Sequence, residues 1–205
     1  MEREREKEGG SKRSGGRERT ACRTRAMRPP RSWHGILALV LAPSALFAAQ
    51  VTSIEGVGIA TSNYAVQLTE GDSLEAGRII RTNDFATCTL GWPGNADRVV
   101  LEPASNAELT GENPIRFRLE YGKIRFTGKD IEVATAQAIT TAKQAGSYSV
   151  SLKDRKEIVD VLEGEAIVAV GANKEQHALR SGEELEIGAN GSVKKGPVAT
   201  KSEGK

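Results

Sequence analysis

AGSYSVSLKDRKEIVDVLEGEAIVAV, running from Ala145 to Val170, is where the fold is decided. Its apolar side chains return at every second position through SYSVSL, EIVDVL and EAIVAV, which is the period of a strand and not of a helix. Lys153, Arg155 and Lys156, with Asp154 and Glu157 among them, read as the solvated turn of a hairpin. Gly164 stands where the alternation breaks, before Ala166 to Val170 resume the apolar run. In EIVDVLEG, Ile158 and Leu162 share one face with Asp160, while Val159 and Val161 share the other with Glu163. Apolar residues on both faces predict a strand lying between two layers.

The same period extends outward in both directions. IRFRLEY puts Ile115, Phe117, Leu119 and Tyr121 on one side and Arg116, Arg118 and Glu120 on the other, as a half-buried strand requires. RIIRT, FATCTLGW, RVVLE, KIRFT, IEVAT and ELEIG follow suit. No window of helical length carries a sustained i, i+3, i+4 stripe. AQAITTAKQAG comes nearest, and Thr140, Thr141 and Gly146 weaken it. TEGD, TND, WPGNAD, GENP, TGKD and GANG supply turns through Gly, Pro, Asn and Asp. In Asn190-Gly191-Ser192, also a glycosylation acceptor pattern, the Asn-Gly turn explains the residues better. The chain is therefore expected to be all-β, a single domain of many short strands with glycine-bounded turns, either β-roll or solenoid-like or sandwich-like.

An internal echo supports this reading. LEAGRII (Leu74 to Ile80) and LEYGKIR (Leu119 to Arg125) match at a register of 45 residues, LEGEAIV from Leu162 is a looser copy, and LRSGEEL from Leu179 repeats the leucine-to-glycine step. A strand ends, the chain turns at a glycine, and a new apolar strand begins.

Charge divides the chain in two. Of 29 Lys and Arg and 27 Asp and Glu, 11 and 5 lie at or before Trp33, so His34 to Lys205 carries 18 against 22, a net of −4. An acidic folded part argues against a nucleic-acid partner. GILALVLAPSALFAA, Gly35 to Ala49, is apolar, uncharged and short for a permanent span, and it suits the core of a secretory signal. Residues 1–26 read as charged and disordered, with Met27 as a natural start, residues 27–49 as a signal peptide or alternatively an uncleaved anchor, and 50–194 as the β domain. Residues 195–205 read as a flexible tail. Export to the periplasm or beyond the cell follows, with membrane attachment only if the segment is uncleaved.

The chemistry-bearing residues are few. Cys22 lies in the leader and Cys88 alternates with apolar neighbours, so no disulfide or zinc cluster is expected, and Cys88 reads as a small core residue. His177, in NKEQHAL, reads as a solvated side chain in a polar turn entering a strand. Asp72, Asp97, Asp130 and Asp160 could pair as glycosidase carboxylates but sit beside turns and strand ends. No nucleophile elbow, metalloprotease motif or phosphate-binding loop appears, so neither an enzyme nor a cofactor is expected. Trp92, in GWPGNAD, is the candidate ligand contact, of the kind that stacks on a sugar.

The order of these features resembles the FecR domain family. The residues that carry the resemblance are GVG at Gly56, LTEGD at Leu68, RTNDFATCTL, PAS at Pro103, LEYGKI at Leu119, TAQA at Thr135, GSYSV at Gly146, VDVLEG at Val159 and LRSGE at Leu179. The resemblance covers about Val51 to Gly188. WPGNADRVVLE replaces the family's D-G-S turn with a longer, proline-bearing loop. Regulators of the family have a cytoplasmic anti-sigma region of several dozen residues before a transmembrane helix, whereas here 34 residues precede the apolar run. The resemblance implies a non-catalytic exported binding module of the bacterial envelope, with an envelope protein or polysaccharide as partner. It carries two alternatives, a membrane-anchored sensor in a sigma-factor pathway and a secreted carbohydrate-binding or carbohydrate-active protein.

Overall fold

In the computed structural model, residues 48–198 are described; the proposed start at Met27, the leader up to residue 47 and residues 199–205 lie outside them, while Ala49, read as the end of the leader, is the buried first residue of a strand. The described part has seventeen strands and no helix, hydrogen-bonded into one continuous, open mixed sheet and not a closed barrel. The strands are β1 (Ala49–Glu55), β2 (Gly58–Thr61), β3 (Ala65–Gln67), β4 (Ser73–Leu74), β5 (Arg78–Thr82) and β6 (Thr87–Gly91). There follow β7 (Arg98–Leu101), β8 (Asn106–Glu112), β9 (Ile115–Gly128), β10 (Glu132–Ala134), β11 (Ala138–Ala142) and β12 (Gly146–Lys153). The last are β13 (Lys156–Glu163), β14 (Glu165–Val170), β15 (Glu175–Arg180), β16 (Glu183–Ile187) and β17 (Val193–Pro197).

Two ladders share β9. The first runs β4-β1-β6-β7-β9-β12-β13-β16-β17 and the second β3-β2-β5-β8-β9-β10-β11-β14-β15. Every pairing is antiparallel except β9 with β10. The N-terminal half of β9 belongs to the second ladder and its C-terminal half to the first. The two ladders pack on a common core, in which Trp92, just past β6, meets Phe117 of β9 edge-on at 6.4 Å, and Phe126 stacks on Tyr148 at 5.2 Å. This is the sandwich-like form of the expected architecture.

The glycines of the internal echo mark where the chain changes ladder. Gly77, Gly122, Gly164 and Gly182 all have positive φ, at +91°, +87°, +94° and +81°. Each is followed by an interior strand of the opposite ladder, β5, the second half of β9, β14 and β16 in turn. Gly122 shows the need most sharply, because a Cβ there would lie 2.4 Å from Ser105 Oγ and 2.5 Å from the carbonyl oxygen of Ala104. The contact is held by a polar node. Ser105, fully buried, donates its N–H to Thr82 Oγ1 (3.0 Å), and its own Oγ accepts from the Lys123 N–H (2.9 Å). The Thr82 hydroxyl in turn donates to the carbonyl of Glu102 (2.7 Å). Each buried polar atom in this node has a partner, as burial demands.

Several expectations need correction. IRFRLEY and KIRFT form one strand, and a bulge where Asn106 pairs Tyr121 while Ala107 pairs Leu119 turns Tyr121 outward, leaving it 46% exposed. AQAITTAKQAG contains strand β11, in keeping with its weak helical stripe. The strand β13 has one wet face, since Val159 and Val161 are buried while Leu162 is 49% exposed. The outward Ile158 and Leu162 line a surface groove rather than face a second layer. Glu157, expected in the solvated turn, is fully buried and accepts from the Thr135 hydroxyl at 2.5 Å. The turn itself is Asp154-Arg155, both at positive φ, as a two-residue hairpin needs. Strand β17 runs to Pro197, into the segment read as tail.

Candidate functional site

Edges of a sheet expose unpaired backbone groups, so their side chains report whether they are guarded. Four strands end the two ladders. In the first, β4 has two residues, and β17 carries Lys194, Lys195 and Pro197. In the second, β15 carries Glu175, His177 and Arg180. Strand β3, Ala65-Val66-Gln67, carries no charge and is exposed throughout. The segment from Val57 to Leu68 that contains it has no charged residue at all.

The hairpin geometry determines which groups of β3 are open. The Leu68 N–H donates to the Gly58 carbonyl (2.9 Å) and the Ser62 N–H to the Tyr64 carbonyl (3.4 Å), while Ala60 pairs with Val66. Bonding alternates along an antiparallel strand, so the N–H and C=O groups of Ala65 and Gln67 face away from β2. The Arg78 guanidinium holds the hairpin tip by donating to Ser62 Oγ at 2.8 Å. Exposed large apolar residues flank the open edge on both faces of the hairpin, with Ile59 (37% exposed) on one, Val66 (42%), opposite Ala60, on the other, and Tyr64 (66%) at the turn. Val57 lies on the Ile59 face, and its carbonyl accepts from the Asn83 N–H at the head of the turn that presents Phe85, itself 86% exposed. The arrangement can receive an extended segment through backbone hydrogen bonds and apolar side-chain contacts.

The residues singled out in the sequence lie elsewhere. Trp92 packs in a T-shaped contact with Phe117 and is only 7% exposed, which leaves no open ring face for a sugar to stack on. Cys88 is fully buried in β6, and burial pushes its thiol up to about 12. His177 is half-buried in β15 with Nε2 3.5 Å from Glu175 Oε1, and not in a polar turn. Asp72 accepts from the Thr69 N–H (2.7 Å) in its turn, and Asp160 accepts from the Ser149 hydroxyl (2.7 Å). Asp97 and Asp130 do come together, on the wall of one recess beside Trp92. Among the described residues no group of three His, Cys, Asp or Glu side chains is placed to hold a metal, and no helix is long and apolar enough to cross a membrane. Sequence reasoning missed the β2–β3 edge, for which the available signal was twelve successive uncharged residues, 57–68, in a chain that is 27% charged.

No protein-family model matches the chain, and no curated protein matches it either. Solved structures do. Two crystal structures of a "putative anti-sigma factor" from Parabacteroides distasonis ATCC 8503 are similar at 21% and 20% identity, each with a TM-score of 0.50. In both cases the likeness covers 58% of this chain and 59% of the other, so the chain spans less than two thirds of the length of the structures it resembles. At this identity the likeness is one of fold.

Proposed function

We propose that this chain is a non-catalytic FecR-like β module, exported to the bacterial envelope, that works by binding a partner protein through the open β2–β3 edge. The observation that carries this reading is the uncharged, exposed strand β3 with the outward N–H and C=O groups of Ala65 and Gln67, beside Ile59, Tyr64 and Val66. The other long edges of the ladders carry lysine, proline or mixed charge, the usual guards against strand addition. The name borne by the similar crystal structures supports placing the module in sigma-factor signalling as a regulator or sensor. A carbohydrate-binding role has less support, because the one tryptophan of the described residues is buried.

Site-specific photocrosslinking in native envelopes tests this directly. A photoreactive residue at Val66 should give a discrete adduct and the same residue at Glu175 none. Ala65→Pro, which removes an outward N–H while sparing the bonds of Val66 to β2, should abolish the adduct. Equal labelling at both edges, or an adduct that survives Ala65→Pro, would overturn strand addition.

A further inference from the structure

A second concavity lies away from the β2–β3 edge, and nothing in the reading above uses it. Three connections form a recess of about 380 Å³, the loop after β6 with Trp92 and Asp97, the β8–β9 turn with Glu112 and Pro114, and the β9–β10 link with Lys129 and Asp130. Its volume is in the range of small-ligand sites. The loop after β6 is the proline-bearing WPGNAD segment that departs from the FecR pattern.

Three features describe what would fit. First, the Trp92 indole N–H, buried at the recess wall in a side chain 7% exposed, has no acceptor among the described residues. An indole nitrogen is a donor only, so the group that satisfies it brings an acceptor oxygen. Second, the charge is negative. Lys129 lies 3.8 Å from Asp130 and offsets it, which leaves Asp97 and Glu112. Third, these two carboxylates are fixed in advance. Asn95 donates its side-chain N–H to Asp97 Oδ2 and accepts the Asp97 N–H (3.1 Å). Gly128 gives the Asp97 carboxylate its room, since a Cβ there would sit 2.1 Å from Oδ1. Glu112 Oε1 accepts the Ala76 N–H (2.9 Å), and no described group donates to its Oε2.

We infer that this recess binds the basic side chain of a peptide, with the cation between Asp97 and Glu112, the aliphatic stem along Pro93 and Pro114, and a peptide carbonyl accepting from the Trp92 indole. The proposal is independent of strand addition at β3. A sugar would supply the acceptor but not the positive charge, and the buried ring offers it no stacking face.

Trp33 and Trp92 are the only tryptophans, so the full chain carrying Trp33→Phe reports on Trp92 alone. Nα-acetyl-lysine amide should change Trp92 emission saturably, and Glu112→Gln, which keeps the acceptor for Ala76, should weaken that binding about tenfold, the loss of roughly one charged hydrogen bond. Thermal melting of the variant establishes that it folds. The inference is overturned if Nα-acetyl-norleucine amide or N-acetylglucosamine titrates as well as the lysine amide, if Glu112→Gln binds as the parent does, or if no titrant changes the emission saturably.

Discussion

Gly164→Ala separates two physical causes that a single stability measurement would blend. Gly164 has φ of +94°, where an alanine costs roughly 1–2 kcal/mol in backbone strain. A Cβ at this position would also lie 2.4 Å from the Tyr148 hydroxyl oxygen. That hydroxyl donates to the carbonyl of Gln144 (2.7 Å) and lies 3.1 Å from that of Glu165, in a side chain that is fully buried. Displacing it adds about 1–3 kcal/mol for a buried group left unpaired. The expected cost of Gly164→Ala is therefore about 2–5 kcal/mol. Gly182 provides the control, with φ of +81° and nothing within 4 Å of a Cβ, so Gly182→Ala should cost only the strain. Urea unfolding of both variants, repeated in a Tyr148→Phe background, closes a double-mutant cycle. Without the hydroxyl, the cost of Gly164→Ala should fall toward that of Gly182→Ala, the approaches left being the ring carbon Cζ at 3.2 Å and Gly146 Cα at 3.3 Å. Equal costs for the two glycines in the parent background, or additivity in the cycle, would refute the claim that the tyrosine hydroxyl occupies the glycine's missing side chain.

Val161→Ala, at a fully buried position, should cost about 2–3 kcal/mol in urea unfolding, whereas Leu162→Ala beside it should cost well under ~1 kcal/mol, since that side chain is 49% exposed. Burial pushes the Glu157 carboxyl above the ordinary carboxylate range, against the lowering by its Thr135 hydrogen bond. The native state then retains a proton that the unfolded chain has lost, so this contribution is complete below the unfolded pKa and declines as pH rises toward the folded one. Glu157→Gln should flatten that decline in urea midpoints measured from about pH 4 to pH 8, and a parent profile no steeper than the variant's would count against it. In a chain carrying Cys22→Ser, the buried Cys88 thiol, pushed up to about 12, should resist maleimide under native conditions and react once urea unfolds the protein.

Where side chains alternate simply, the sequence showed the strands directly. RIIRT is β5 and EAIVAV is β14, residue for residue. It concealed β8 and β11 for a physical reason. Asn106 and Thr140 are polar residues at fully buried positions, Asn106 held by a bond from its side-chain N–H to Glu120 Oε2, so neither strand shows an unbroken apolar face. Trp92 read as an exposed contact because a tryptophan in a Pro-Gly-Asn loop gives no local sign of Phe117, which lies 25 positions on and comes from the other ladder. The β2–β3 edge was harder still to see. Whether a strand is an edge depends on what fails to pair with it, which is a property of topology and not of the strand's own residues.

The leucine-to-glycine echo suggested a stack of like units, and the ladders show why it does not build a solenoid. Each copy carries the chain from one ladder to the other, so successive copies alternate between layers. Strand β9 makes the logic visible within one element. Ile115, Phe117 and Leu119 are buried before Gly122, and Ile124, Phe126 and Gly128 after it, so the inward positions change from odd to even numbers. A strand of strict period two cannot make that change, because a one-residue slip sends every later side chain to the wrong face. The bulge at Tyr121 and the positive φ of Gly122 supply the slip, and the Thr82–Ser105–Lys123 node fixes where it occurs. Because β9 alone belongs to both ladders, this one irregular step also joins the halves of the core. The residues that look like lapses in the pattern are thus those that let a continuous chain face one core from two sides.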